Sequence, residues 1–490
     1  MTTVILDCYT DEPAGLGVPP YLGTYPRYLA GWLKSQGQEY IYLTIDDVRL
    51  WKNYGGKKIV PKKSQKTDIF TYNLTNNADN VHKILENCSE MYIICGVHVP
   101  GKYLSAMPGT LHEVSKLVQN LKCRKILMGP VVFGTSLHGG KESEIVDENK
   151  FEIGEYDFNF AEAKKYSVLG ADILQCIPDI RVLEIETGKG CQRLKGCSFC
   201  TEPLKNKFVC RPNDDILEEM KALYDNGARY FRLGKQACIY AQPDLPALLK
   251  NIRKAMPEIK VLHIDNVNPV NVIGKNGEEY TKAIVEYCTE ANVAAMGVES
   301  FDPTVVAENF LNTTPELTYR AIAIINKYGK ERGPNGMPKF IPGINLIYGL
   351  KGETKETNAH NLKWLHKIID DGFLLRRINI RQVAVMDNTP LKEMGGLKFL
   401  HKNKRYYWKW RNQVRQEIDV PMLEKITPVG TVLHDIYTEI YDGNTTFCRQ
   451  FGTYPLIVGV KGRLPLKQFI SIRVTGHMKR SIIGEAVLQN

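Results

Sequence analysis

Three cysteines lie within ten residues of one another, in a segment rich in glycine. They are Cys191, Cys197 and Cys200, and the apolar run before them, residues 182–186, is typical of a buried strand. Cysteine thiolates are the usual ligands of iron–sulfur clusters, and a fully ligated cluster takes four ligands. Three protein ligands would leave one iron open to a small molecule. The spacing therefore predicts a metal centre held by these three cysteines in a loop after a strand.

Three other interpretations of the same thiols remain open. A structural zinc site would need a fourth Cys or His nearby, and Cys210 is the close candidate. A ferredoxin-like electron carrier would also need a fourth ligand, and a smaller chain. The thiols could finally be unrelated and free.

The cysteine loop resembles the signature loop of radical S-adenosylmethionine (SAM) enzymes, although five residues instead of the usual three separate its first two cysteines. The resemblance implies a [4Fe–4S] cluster that binds SAM and cleaves it reductively to a 5′-deoxyadenosyl radical. It also implies an electron donor such as ferredoxin or flavodoxin. The catalytic residue that acts on the substrate is not identified by the sequence.

Later segments match the SAM-binding motifs of the same superfamily in type and order. The first ends a predicted strand at residues 231–236, the second ends one at 297–300, and the third, 345–354, has Lys351 in place of the usual proline. Carboxylates suit ribose diols because they accept two hydrogen bonds. The resemblance assigns these residues to SAM: Gly234, Gln236, Glu299, Ser300, Gly349 and Glu353.

Composition and charge indicate a large globular enzyme. The chain has 490 residues, of which 43% are hydrophobic and 24% charged, both ordinary values. No apolar run approaches the ~20 residues that span a bilayer, and no signal peptide is visible. Exposed thiols need a reducing compartment, so we expect a cytoplasmic protein without a membrane partner. The net charge is +10, and residues 401–490 carry 14 Lys and Arg against 7 Asp and Glu.

Residues 1–175 alternate between strand and helix patterns, which predicts a Rossmann-like α/β domain. Cys8 and Cys95 end two of its predicted strands, at the edge where open sheets bind ligands. Methylthiotransferases hold a second cluster with three cysteines at comparable places, but the third place here reads Gly129-Pro130, with Cys123 or Cys88 as substitutes. Cobalamin binding and a domain that only shapes the substrate cleft are the alternatives.

Residues 176–400 are expected to form the partial (β/α)6 barrel of radical SAM enzymes, with catalytic groups at the carboxyl ends of its strands. Arg377, Asn379 and Arg381 share one face of the sixth strand, because alternate strand residues point the same way. If that face points inward, its guanidinium groups suit a carboxylate or phosphate of the substrate; if not, they pair with outer helices. His263, Asp265 and Asn268 near the end of the third strand have the same two interpretations.

Residues 401–490 are predicted to form a basic aromatic helix at 406–415, followed by a small β-domain with strands at 456–460, 469–475 and 481–484. This β-domain resembles the barrel at the end of tRNA methylthiotransferases. The domain either holds RNA or caps the barrel mouth. Its candidate contacts for RNA share exposure and a positive, aromatic or imidazole side chain: Arg449, Tyr454, Lys461, Arg463, Lys467, Arg473, His477, Lys479 and Arg480. Of these, Arg473, Lys479 and Arg480 are predicted to bind the substrate together with Arg377 and Arg381.

Long strings also resemble an archaeal radical SAM family, among them residues 11–20, 196–203, 231–234, 263–269 and 374–383. The sequence thus predicts a three-part radical SAM enzyme that transfers a methyl or methylthio group to a macromolecule, either RNA or protein. A small metabolite is the alternative substrate. The alternative of another class is a non-catalytic RNA-binding protein with a structural iron–sulfur cluster.

Overall fold

The computed structural model of the chain describes residues 2–10, 16–54, 72–96, 106–133, 146–147, 149–154 and 158–487. Part of the N-terminal string that resembles the archaeal family, residues 11–15, lies outside these ranges. Within them, no helix is both long and apolar enough to cross a membrane.

Twenty strands follow one another along the described chain: β1 (Thr2–Asp7), β2 (Tyr21–Leu22), β3 (Tyr40–Thr44), β4 (Cys88–Ile94), β5 (Arg124–Met128), β6 (Glu152–Ile153), β7 (Val182–Glu186), β8 (Gly188–Lys189), β9 (Val209–Cys210), β10 (Tyr230–Gly234), β11 (Val261–Ile264), β12 (Asn266–Val267), β13 (Asn292–Glu299), β14 (Phe340–Tyr348), β15 (Ile378–Gln382), β16 (Val432–Asp442), β17 (Thr445–Gln450), β18 (Ile457–Lys461), β19 (Phe469–His477) and β20 (Ser481–Val487).

The α-helices of the described residues lie between these strands: α1 (Thr24–Ser35), α2 (Ile45–Tyr54), α3 (Val81–Glu86), α4 (Leu111–Val118), α5 (Phe160–Leu169), α6 (Glu202–Lys205), α7 (Asn213–Asp225), α8 (Leu245–Ala255), α9 (Pro269–Val272), α10 (Gly277–Tyr287), α11 (Pro303–Glu308), α12 (Pro315–Gly329), α13 (Thr357–Asp370), α14 (Pro390–Glu393), α15 (Lys398–Val414) and α16 (Val420–Ile426).

The chain divides into two compact units. The first comprises Met1–Glu186 with Arg211–Phe231, and the second comprises Thr187–Cys210 with Arg232–Asn490. The second unit thus holds both the cysteine loop and the C-terminal strands. The three-part division at residues 175 and 400 remains a prediction from the sequence.

The first unit contains a five-stranded parallel sheet in the order β3-β1-β4-β5-β6. Its central strands are buried, as the apolar runs of β1 and β4 require, and their side chains pack against α2, α3 and α4. The predicted Rossmann-like fold is therefore confirmed. The short strand β2 pairs in parallel with β7, the strand that leads into the cysteine loop.

A buried ion cluster holds β7 in place inside the first unit. The carboxylate of Glu219, on α7, lies between the guanidinium groups of Arg27 and Arg211, and all three side chains are fully buried. Arg27 also donates a hydrogen bond to the carbonyl oxygen of Glu184, and Arg211 donates to that of Glu186 at 3.3 Å. The cluster thus fixes the backbone immediately before the cysteines.

The second unit contains the four-stranded parallel sheet β12-β13-β14-β15. With β7, β10 and β11, its three long strands supply all six strands that the sequence predicted for the radical SAM barrel. Helices α8 and α10 to α13 lie between them in sequence, as a parallel sheet requires. Mixed α/β structure with parallel sheets is the predicted fold class, which is confirmed.

A closed barrel of five strands, β16-β17-β18-β20-β19, ends the second unit. The sequence predicted its last three strands and missed β16 and β17, whose mixed polar and apolar pattern hid them. The predicted basic helix is present as α15 and is longer than expected at its N-terminal end. Buried side chains of the barrel share one core with Val293 on β13 and Ile341 on β14.

Candidate active site

The three predicted metal ligands lie in a loop that folds back on itself after β7. Strands β8 and β9 pair antiparallel at its base, so its two halves run side by side. Gly190 adopts φ +75°, and a Cβ atom there would come within 2.6 Å of the backbone nitrogen of Phe208. Only glycine fits this close approach, which brings the segment of Cys191 against the returning chain.

Hydrogen bonds to the segment after α11 hold the part of the loop that carries the other two cysteines. The Ser198 hydroxyl donates to Asn309 at 2.8 Å, next to α11, and the Ser198 amide donates to the Asn309 carbonyl oxygen. Arg193 donates to the Cys197 sulfur at 3.3 Å and to the carbonyl oxygen of Phe310 at 2.8 Å. These bonds fix the loop around Cys197 and Cys200. Leu194, at the tip, is fully exposed.

The three thiols are electrostatic neighbours, because Cys200 raises the pKa of Cys197 and Cys191 raises that of Cys200. Burial is the largest cause in both cases and brings these pKa values to about 12 and about 11. Within the described ranges, no three Cys, His, Asp or Glu side chains are grouped as a finished metal site. Cys210, the candidate fourth ligand for zinc, donates instead to the Ala241 carbonyl oxygen.

Polar atoms that have no hydrogen-bond partner among the described residues lie beside this loop, at the carboxyl ends of β7, β10 and β13. They are the Thr187 hydroxyl, both amide atoms of Gln236 and the Glu299 Oε2 atom, all buried. The Thr187 amide donates to the Gly234 carbonyl oxygen, and the Gln236 side chain packs on Gly188. Buried polar groups normally find partners. The donors and acceptors present here therefore fit a polar ligand such as the amino acid and ribose groups of SAM.

Glu299 stands out among these groups by its backbone and its charge. It adopts φ +64° at a register shift between β13 and β14. Burial raises its pKa to about 8, and the Arg381 guanidinium group opposes this rise. At neutral pH the carboxyl group therefore keeps its proton. With the Asn379 amide turned so that its oxygen faces Arg381, Arg381 donates to it at 2.9 Å, so the two side chains share one face of β15; their contact with a substrate stays a prediction.

The other predicted SAM residues are engaged in local structure. The Ser300 hydroxyl accepts a hydrogen bond from the Asp302 amide at the start of α11. The Glu353 carboxylate accepts from the Gly349 amide at 2.7 Å and from the Asn403 side chain at 2.9 Å. Gly349 adopts φ +98°. These contacts make the turn after β14 rigid, which suits a role in positioning; contact of these residues with SAM remains a prediction.

A group of polar contacts around Tyr454 joins the small barrel to the residues that follow β11. The sequence did not predict these contacts. The Tyr454 hydroxyl donates to Asp265 at 2.7 Å, and Asp265 forms a buried ion pair with Arg232. Arg376 donates to the Tyr454 carbonyl oxygen, while Arg377 lies 4.2 Å from the centre of the Tyr454 ring. These contacts hold the small barrel on the same unit, and its two predicted roles, binding RNA and capping the barrel mouth, stay predictions.

His263 belongs to the same contact and gives a pH prediction. Its Nδ1 accepts from the Thr453 amide at 3.1 Å, and its Nε2 bonds the Glu290 carbonyl oxygen at 3.0 Å. Burial, helped by Arg253 and Arg232, lowers the pKa of His263 from 6.5 to about 4. Between these pH values the unfolded chain takes up a proton that the folded chain does not. This residue should therefore make stability fall by about 3 kcal/mol as the pH drops from about 6.5 to about 4.

The measurement is denaturant unfolding across that pH range for the wild type and for His263→Gln. The free energy of unfolding of the variant should depend less on pH, by the same about 3 kcal/mol. His82→Gln is the matched control, because the His82 side chain is 64% exposed. Equal pH dependence in the wild type and His263→Gln would contradict the prediction.

Most of the predicted RNA contacts in the tail are exposed, but three are not free for RNA. Arg449 is only 3% exposed and pairs with Glu439, which corrects its prediction as an exposed residue. Tyr454 is engaged as described, and His477 bonds the Thr427 carbonyl oxygen. The cations that remain at the surface are Lys461, Arg463, Lys467, Arg473, Lys479 and Arg480.

Four cysteines of the first unit form two pairs, at opposite ends of the strands of its sheet. Cys8 and Cys95 follow the carboxyl ends of β1 and β4 and are electrostatic neighbours. Cys88 and Cys123 lie at the amino ends of β4 and β5 and contact each other. A strand of this length separates the pairs by roughly 20 Å. Neither Cys88 nor Cys123 can therefore replace the missing third ligand beside Cys8 and Cys95.

Comparison with known proteins agrees with this site. Residues 185–365 match the Radical SAM superfamily. The chain belongs to this superfamily, which confirms the predicted cofactors, a [4Fe–4S] cluster and SAM. It is 39% identical over 539 residues to an uncharacterized protein of Methanocaldococcus jannaschii, across 99% of this chain and 93% of that protein.

Two more distant similarities were found. Over 182 residues the chain is 24% identical to the ribosomal protein uS12 methylthiotransferase RimO of Bacteroides fragilis, which covers 35% of this chain and 38% of that protein. The fold is similar to the radical SAM methyltransferase TsrM of Kitasatospora setae, solved with cobalamin and a [4Fe–4S] cluster. That similarity has a TM-score of 0.48 and 12% identity and covers 80% of this chain and 74% of TsrM.

Proposed function

We propose that this radical SAM enzyme transfers a methyl or methylthio group to a macromolecule. The proposal depends above all on the buried polar atoms without partners beside the cysteine loop, which lie where a cofactor and a reacting group would meet. The exposed cations of the second unit support a macromolecular substrate, because they extend over a surface larger than a metabolite needs. The distant similarity to a methylthiotransferase that acts on a ribosomal protein points the same way.

In this proposal Cys191, Cys197 and Cys200 would hold a [4Fe–4S] cluster. Once bound and reduced, such a cluster would supply the electron for the reductive cleavage of SAM. Thr187, Gln236 and Glu299 bind the polar groups of SAM through their unpaired atoms. Ser300, Gly349 and Glu353 position the turns on which that pocket is built.

The residues around the pocket also suit the chemistry of a carbon radical. Protonated Glu299 donates a hydrogen bond instead of placing a negative charge in the site. Arg381 and Asn379 present donors on the same strand face and orient the substrate. The apolar cluster of Val305, Leu311, Leu350, Val383 and Leu391, on which Cys197 and Phe199 pack, excludes water from this side of the loop.

The test uses protein reconstituted anaerobically with iron and sulfide, and SAM labelled in its methyl group. We expect 5′-deoxyadenosine on reduction with dithionite, and label in RNA or protein when a cell extract is added. A purified electron donor such as flavodoxin should replace dithionite. Label only in small molecules would overturn the macromolecular substrate, and no 5′-deoxyadenosine would favour an RNA-binding protein with a structural cluster.

The cofactor content of the first unit would distinguish methyl transfer from methylthio transfer. Cobalamin there would favour the first, and a second iron–sulfur cluster the second. Corrinoid absorbance bands in the purified protein would favour methyl transfer. About eight irons per chain would favour methylthio transfer, since two [4Fe–4S] clusters contain that number. The separation of the two cysteine pairs favours the first outcome over the second.

A further inference from the structure

Helix α15 carries an unusual set of side chains for a surface helix. Its 17 residues include six Lys and Arg and no Asp or Glu. Within the part of the chain that the structure describes, none of these cations forms an ion pair. A solvated helix usually mixes the two signs of charge, because opposite charges three or four residues apart stabilise it. Stability therefore does not explain this composition.

Helix α15 has one buried face and one exposed, positively charged face. Asn403, Tyr407, Trp410 and Val414 are buried at spacings of four, three and four residues. On the far side, Lys398, Lys402, Arg405 and Lys409 follow one another at the same spacings, and all four are exposed. The cations thus form a continuous ridge along three turns of the helix.

An exposed aromatic ring lies beside this ridge. Trp408 is 67% exposed, and the Arg411 guanidinium group lies 5.2 Å from its ring centre. At the end of the helix, Lys479 from the hairpin between β19 and β20 donates to Asn412 at 3.1 Å. That bond places the cations of the hairpin tip next to the ridge. A flat ring bordered by positive charges is the arrangement that stacks a base while lysines bind the backbone.

We propose that α15 and the hairpin tip at residues 478–480 bind the phosphate backbone of single-stranded RNA, with Trp408 stacked on a base. The inference deepens the proposed function, since it names the class of macromolecule and the surface that holds it. The charge favours a polyanion, and the exposed ring favours nucleic acid over an acidic protein. The surface belongs to the same unit as the cysteine loop, so RNA held there would be bound by the part of the chain that carries the SAM site.

The test measures binding of fluorescein-labelled single-stranded RNA of mixed sequence to the reconstituted full chain at several salt concentrations. The variant Lys402→Glu/Arg405→Glu/Lys409→Glu should bind more weakly, with a salt slope lower by roughly two units, because each lost phosphate contact in a single strand removes about 0.7. Trp408→Ala should bind roughly ten-fold more weakly at unchanged slope, and Trp408→Phe should restore binding.

The matched control is Lys260→Glu/Lys275→Glu/Lys330→Glu, which changes the net charge equally at exposed lysines on other elements. It should retain most of the affinity. Equal losses in the control and the α15 variant would overturn the proposal, because only overall charge would then matter. Binding of polyglutamate as tight as that of RNA, unaffected by Trp408→Ala, would overturn it in favour of an acidic protein.

SAM cleavage is measured on the same samples without RNA and should be equal in the wild type and in all these variants. Lost RNA binding with intact SAM cleavage supports the surface. Normal SAM cleavage and label transfer to protein, in a chain that binds no RNA, would overturn this inference and leave the proposed function standing.

Discussion

Alanine at Cys191, Cys197 and Cys200 together is expected to remove the iron–sulfur cluster and all reductive cleavage of SAM. Each thiolate is one of three protein ligands, and no other thiol of the loop can take its place, since Cys210 donates to a backbone carbonyl group. The measurement is iron and sulfide per chain after anaerobic reconstitution, followed by 5′-deoxyadenosine formed with dithionite. We expect about four irons in the wild type and none in the variant.

Cys210→Ala provides the control for this experiment. It lies at the end of the same loop and should keep full iron and full SAM cleavage. If Cys210→Ala lost the metal as completely as the triple variant, four thiolates would bind the metal. The prediction that one iron is left open for SAM would then be wrong. Iron that survives in the triple variant would place the cluster elsewhere, with Cys8 and Cys95 as the next candidates.

The sequence alone was enough to predict those elements whose patterns involve neighbouring residues. Most of the six barrel strands are short apolar runs that end in or lead into glycine or a polar residue, so the apolar pattern and the turn residues located them. The cysteine loop was equally clear, because its chemistry depends on residue type and spacing alone. The strands β16 and β17 escaped prediction because the small barrel leaves alternate residues half-exposed, which weakens the apolar signal.

The sequence could not supply contacts between residues far apart in the chain. Tyr454 was predicted at the surface. Its hydroxyl instead donates a hydrogen bond to Asp265, 189 positions earlier, where the small barrel packs next to β11. Arg449 carries the same charge as its exposed neighbours, but its partner Glu439 lies on the adjacent strand. In both cases the residue type alone is equally consistent with RNA binding and with packing. Only the partner residue, which the fold brings close, distinguishes the two.

Loss of the Glu219 carboxylate is expected to have the largest effect on stability. Although burial acts to raise the pKa of this group, the guanidinium groups of Arg211 and Arg27 lower it, so Glu219 is charged. Glu219→Ala would remove the carboxylate that lies between both buried arginines. Breaking a buried ion pair in this way costs about 3–5 kcal/mol. Chemical denaturation near pH 7 should show a loss of this size.

Glu218→Ala is the control, because this neighbouring side chain is 51% exposed and forms an ion pair at the surface with Lys164, at 3.3 Å. It should change stability by less than about 0.5 kcal/mol. Arg27 and Arg211 also hold the backbone of β7, which leads into the cysteine loop. The Glu219→Ala protein, studied at a low temperature at which it is still folded, should therefore bind less iron than the Glu218→Ala protein. Full iron with lowered stability would show that the cysteine loop forms independently of this support; unchanged stability would mean that the arginines find other partners.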